Sequence, residues 1–255
     1  MIKINQCIFC GKELTKKQIN KRSNTCSREC NIKYKMLQNQ NLEPDFFEID
    51  NQDILYYLLG LLYTDGNLDK TKNIITLSLT DKTIITILYP YFSANKRKIY
   101  EYQPKNINAH KAYTIINKSD KAISKLINMG FSPCNSLTKT FPQIPNEYFG
   151  SFLRGIFDGD GCVYISNTIK GKKYYSISIT CASYEFVLSL KEKLEDLKFN
   201  PTLVIDSRRK DNINKTYYLK LNKQKEVKNF MNYIYKDCNI KNNTKYEKYY
   251  YENIV

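Results

Sequence analysis

Apolar residues recur at helical spacing in two separated places. Phe149, Phe152, Leu153, Ile156 and Phe157 fall at i, i+3, i+4, i+7 and i+8, and Leu55, Leu58, Leu59 and Leu62 repeat most of that stripe nearer the N-terminus. Each stripe predicts a helix with one broad buried face. After each helix the pattern switches to the period of a strand. In "IITLSLT" (74–80) Ile75, Leu77 and Leu79 oppose Thr76 and Ser78, and in "YYSISITC" (174–181) Ile177 and Ile179 oppose Ser176, Ser178 and Thr180. The second half then predicts strands at 162–166 and 174–181, a helix at 184–197, strands at 202–209 and 215–222, and a helix at 225–235. The first half predicts the same order, with a strand at 74–80, a helix at 81–92, strands at 96–103 and 111–118, and a helix at 120–129. Its opening strand, near "NLDKTK", is weak. Two copies of one α/β unit, related by a pseudo-twofold axis, are expected.

The two apolar helices also end alike. "LLGLLYTDG" (Leu58–Gly66) and "LRGIFDGDG" (Leu153–Gly161) place their last aspartates, Asp65 and Asp160, 95 residues apart. Gly60 and Gly155 each lie five residues before that aspartate. A mid-helix glycine costs about 1 kcal/mol relative to alanine, so the pair predicts two helix backbones in close approach. Asp65 and Asp160 would then meet at two helix C-termini, where the macrodipole already repels anions. Carboxylates brought together there call for a cation. Mg²⁺ fits, because it takes one or two carboxylates together with phosphate oxygens and water. An EF-hand does not fit, because a strand-like "CVYI" follows Gly161 where further oxygen ligands would be needed. Asp158 is matched by Tyr63 in the other copy, so symmetry makes it a helix-end or supporting residue, not a third ligand.

Charge narrows the partners. Forty Lys and Arg against 25 Asp and Glu give a net charge of +15 and a pI near 9.3, which favours a polyanion, most simply nucleic acid. The first residues contain no apolar leader, and no run approaches the roughly 18 apolar residues that span a bilayer, so no membrane association is expected. The eight cysteines do not form a disulfide framework. Cys7, Cys10, Cys26 and Cys30 read C-x2-C, fifteen residues, C-x3-C, and the rest are scattered. The expected compartment is reducing, the cytoplasm of a bacterium or phage host or an organelle. Four thiolates at that spacing suit one structural Zn²⁺, and a segment this short needs the metal in order to fold. The organisation expected is a zinc-binding module at 1–37, a linker at 38–52, a first repeat at 53–148 and a second at 149–255.

The two nonapeptides, their spacing and their flanks ("FPQIPNEYFGSFLRGIFDGDGCV", "YKDCNIKNNTKYEKYY") resemble the LAGLIDADG homing endonuclease family in its single-chain, two-motif form, from about Asp53 onward. The cysteine cluster lies outside that region as an appended zinc-finger-like module. The resemblance implies a duplicated αββαββα fold of α+β class, with two curved antiparallel sheets forming a saddle over double-stranded DNA. It implies a monomeric, site-specific, Mg-dependent endonuclease acting in intron homing, which cuts both strands of a long pseudo-palindromic target and leaves short 3′ overhangs. Asp65 and Asp160 match the family's metal-binding acids, which implies two or more Mg²⁺ at the paired site. Where the family often places an active-site lysine, this chain has Asn135 and Asn243, with Lys139 and Lys245 nearby as candidate catalytic groups. DNA contacts are expected from Arg97, Tyr100 and Tyr102 in the first copy, and from Ser176, Ser178, Arg208, Lys210, Tyr218 and Lys220 in the second. The alternatives on the same fold are an intron maturase that binds structured RNA and a catalytically inactive DNA-binding regulator.

Overall fold

The computed structural model describes residues 6, 7, 10–20, 23–40, 44–93, 97–104, 110–132, 139–167, 172–206 and 215–251. Two short helices, α1 (Lys16–Asn20) and α2 (Arg28–Gln40), carry the N-terminal region. The first copy follows as α3 (Gln52–Asp65), β1 (Gly66–Asp69), β2 (Ile74–Leu79), α4 (Lys82–Phe92), β3 (Tyr100–Tyr102), β4 (Ala112–Asn117) and α5 (Asp120–Asn128). The second runs α6 (Phe149–Asp160), β5 (Gly161–Asn167), β6 (Lys173–Cys181), α7 (Tyr184–Asp196), β7 (Thr202–Ile205), β8 (Tyr217–Leu221) and α8 (Gln224–Tyr235), with α9 (Asn243–Tyr250) beyond it. Both copies therefore read αββαββα. Their sheets are antiparallel with the same strand order, β1-β2-β4-β3 and β5-β6-β8-β7. The weak opening strand is present as β1, paired Gly66↔Leu77 to Asp69↔Ile74.

Local chemistry sets the element ends. Asn51, Asp81, Ser119 and Ser183 cap α3, α4, α5 and α7, each accepting from backbone N–H groups of the first turn. Gly66 and Gly161 end the two long helices in extended backbone, so each chain passes straight into its strand.

α3 and α6 pack against each other through the middle of the molecule. A Cβ on Gly60 would lie 2.2 Å from the Phe152 carbonyl oxygen and 2.8 Å from the Gly155 Cα, and one on Gly155 would lie 2.3 Å from the Tyr57 carbonyl oxygen. The backbones therefore touch where the two glycines meet. α3 is buried on nearly all sides, from Ile54 through Tyr63 except Tyr56. Each sheet lays its apolar face on this pair, with Leu77 opposite Ile115 in one and Ile177 opposite Leu221 in the other.

Of the stretch 38–52, expected to be a linker, the described residues 44–52 are anchored on the first copy. Phe46 is fully buried, Ile49 is buried, and Asp45 pairs with Lys121 at 2.9 Å and Lys125 at 3.1 Å on α5. Its polar composition hid the two apolar anchors. Among the described residues, no helix is long and apolar enough to cross a membrane.

Candidate functional site

The C-terminal ends of α3 and α6 come together, bringing Asp65 and Asp160 to one place. Asp65 is half-buried and accepts a hydrogen bond from the Thr64 hydroxyl at 2.8 Å. The Asp160 side chain reaches solvent, yet the protein packed around its carboxyl and the neighbouring Asp65 charge raise its pKa to about 6. Burial likewise raises Asp65, opposed by the Thr64 hydrogen bond and by Lys245 and Lys139. The close fit depends on Gly159, where a Cβ would fall 2.1 Å from Thr64 Oγ1 and 2.5 Å from Asp65 Oδ2.

Both candidate lysines reach this place. The Lys139 ammonium donates to the Tyr63 carbonyl near the end of α3 and lies 5.0 Å from the centre of the Tyr63 ring. The Lys245 ammonium donates to the carbonyls of Phe157, Asp158 and Gly159 at 2.9, 2.7 and 2.9 Å, so it caps α6. Each satisfies carbonyls that a helix end leaves open and offsets the dipole there. Burial lowers the Lys245 pKa, opposed by Asp158, Asp65 and Asp160. Charge from both ammoniums opposes the rise at Asp65 and at Asp160. Asn243, by contrast, is exposed at the start of α9, and Asn135 lies outside the described residues.

Asp158 is buried, and its carboxylate is taken up by three donors. It accepts from the Tyr57 hydroxyl at 2.8 Å, the Tyr235 hydroxyl at 2.5 Å and the Asn242 backbone N–H at 2.8 Å. Burial raises its pKa against those three bonds. At the other end of the helix pair, buried Arg154 meets Asp53 at 2.6 Å and donates to the Ile234 carbonyl at 3.1 Å. Neither Asp158's partners nor the Arg154–Asp53 pair follows from periodicity. The signal for both was a charged residue on an otherwise apolar helix face.

The open faces of the two sheets carry tyrosine more than they carry charge. Tyr100 and Tyr102 are 51% and 63% exposed on the first. Tyr164 and Tyr174, not foreseen, join Tyr218 and Lys220 on the second, where Tyr164, Ser176, Tyr218 and Lys220 line a cavity of about 490 Å³. Ser178, expected on the same face, is instead 1% exposed, with no hydrogen-bond partner for its hydroxyl among the described residues. Its strand, β6, lies inside the sheet, with Cys162 and Lys220 opposite it on the two neighbouring strands. Arg97 is half-buried just before β3, while Arg208 and Lys210 lie outside the described residues.

The four N-terminal cysteines converge, with every pair of sulfurs within 4.8 Å. Cys10–Cys26, Cys26–Cys30 and Cys30–Cys10 separations are 3.5, 3.6 and 3.7 Å. Tetrahedral bonds of about 2.3 Å give edges of about 3.8 Å, so the donor set fits zinc. Gly11, at φ 73°, turns the first knuckle and donates its N–H to the Cys7 carbonyl.

Comparison with known proteins places part of this architecture. No curated protein matches the chain in sequence. Among solved structures, full-length DUF199/WhiA from Thermatoga maritima is similar at 19% identity and a TM-score of 0.47, covering 80% of this chain, which spans 61% of that one. The N-terminal LAGLIDADG domain of DUF199/WhiA is similar at 19% identity and a TM-score of 0.48, covering 85% of this chain and 96% of its own. The LAGLIDADG homing endonuclease I-GzeII, solved with its DNA target, is similar at 14% identity and a TM-score of 0.49, covering 76% of this chain and 86% of its own. Residues 147–235 match the family described as LAGLIDADG-like domain, a span that begins just before α6 and ends with α8. Residues 147–235 are thus similar to a LAGLIDADG-like domain, and α3 to α5 repeat the topology of α6 to α8.

Proposed function

We propose that this protein is a site-specific, metal-dependent DNA endonuclease that cuts both strands of one target. The observation carrying this reading is the meeting of Asp65 and Asp160 at two helix ends, with Lys139 and Lys245 beside them. Two carboxylates that repel one another at negative helix termini make a donor set suited to a hard divalent cation. Asp65 and Asp160 would hold Mg²⁺, which when bound supplies Lewis-acid stabilisation of phosphate charge and a more acidic water. In the reaction, a water oxygen bonds to phosphorus as the bond to the 3′ oxygen breaks, and the proton ends on that oxygen. Lys139 and Lys245 supply fixed positive charge where negative charge grows on the phosphate. The tyrosine-rich sheet faces would lie on DNA, held by the chain's net charge of +15. The cysteine cluster would take one structural zinc, and the protein would act as a monomer with its two active-site halves already in one chain.

The test is a selection of cleaved sites from a randomised DNA library with Mg²⁺, followed by assay of Asp65→Asn and Asp160→Asn on the selected target. Each single variant is expected to bind but to nick or remain nearly inactive. Full double-strand cleavage by both would remove the metal assignment. Specific DNA binding without cleavage by the wild type would point to a regulator, and preference for structured intron RNA to a maturase.

A further inference from the structure

The two motif helices differ at equivalent positions, Tyr63 in α3 and Asp158 in α6. One residue donates and the other accepts, yet each ties down the segment that carries its own copy's lysine. The Tyr63 hydroxyl donates to the Thr140 carbonyl at 2.7 Å, one residue beyond Lys139, and its ring packs against Phe131, Phe152 and Phe186. The Lys139 carbonyl is held from the other side by the Ser183 hydroxyl at 2.6 Å. Asp158 accepts the Asn242 N–H, and the Asn242 side chain in turn accepts the Lys245 N–H at 3.1 Å, which sets the first turn of α9. Tyr57 and Tyr235 leave the Asp158 carboxylate with one orientation.

We infer that Tyr63 and Asp158 are matched positioning residues, each fixing one lysine ammonium, Lys139 or Lys245, against the C-terminal carbonyls of its own motif helix. The tethering stands on the hydrogen bonds alone, and its consequence for cutting rests on the endonuclease reading. Because Tyr63 acts on Lys139 and Asp158 on Lys245, their loss should damage different halves of one active centre. A purely structural role would weaken both halves together.

The experiment uses the whole 255-residue chain, prepared with zinc present, and two near-isosteric variants, Tyr63→Phe and Asp158→Asn. Lysine reactivity is read by brief reductive methylation with formaldehyde and dimethylamine borane, with each site quantified by peptide mass spectrometry. Tyr63→Phe is expected to speed labelling of Lys139 by about five-fold, the worth of one hydrogen bond, and to leave Lys245 unchanged. Asp158→Asn is expected to do the reverse. On the selected DNA target each variant should accumulate nicked product, with opposite strands left intact. Tyr63→Phe keeps the ring packing, so it remains decisive if Asp158→Asn fails to fold. Unchanged Lys139 labelling in Tyr63→Phe, or equal change at both lysines in either variant, overturns the inference. Lysine-selective labelling in a protein that cuts no DNA supports the tethering and defeats the endonuclease reading instead.

Discussion

Replacing Gly60 or Gly155 by alanine tests the contact between the two helix backbones. The new methyl would fall 2.2 or 2.3 Å from a backbone carbonyl oxygen of the facing helix, which no side-chain rotation can relieve. Either variant should lose about 3 kcal/mol or more in urea unfolding, well beyond the small gain in helix propensity. Asp160 gives a second residue-scale expectation. Its pKa rises from the ordinary 3.8 to about 6, so the native state binds this proton more tightly than the unfolded chain does. The associated stability is complete below about pH 3.8 and is lost as pH rises through about 6. In metal-free protein the melting temperature of Asp160→Asn should therefore gain on wild type between pH 5 and pH 8. Mg²⁺ should close that gap by stabilising wild type alone, measured by thermal melts in buffers of matched ionic strength.

At the scale of elements, the chain's own periodicity carries most of the fold. The stripe from Phe149 to Phe157 and the alternation in 74–80 and 174–181 give α6, β2 and β6 closely. β1 was faint because Gly66–Asp69 is a four-residue strand with only Leu68 buried. Phe46 was hidden because a three-residue turn of 3₁₀ helix has too few positions to show a period. Site geometry was legible where it depends on two copies of one phrase, as with Asp65 and Asp160. It was illegible where it depends on contacts distant in sequence. Spacing gave no means of preferring Lys245 over Asn243, because the choice is made by α9 docking its first turn on Asp158. The N-terminal helices belong to the opposite regime. α1 has no buried residue, and the four converging thiolates form the main cross-link among the described residues of this region. Stripping metal with a strong chelator should release one zinc per chain. It should also expose residues near Cys26 to protease while leaving the main unfolding transition in place, which proteolysis and calorimetry on the same sample would show.

For the whole molecule, the decisive contact is between copies of one unit, and it is not symmetric. Thr64 in α3 and Gly159 in α6 occupy equivalent places, and a Cβ at Gly159 would stand 2.1 Å from the threonine hydroxyl. One copy presents a bump and the other a hollow. Two copies of the first half would set threonine against threonine, and two of the second would leave a gap. An arrangement that looks like a dyad is thus keyed in one direction only, and neither half can stand in for the other.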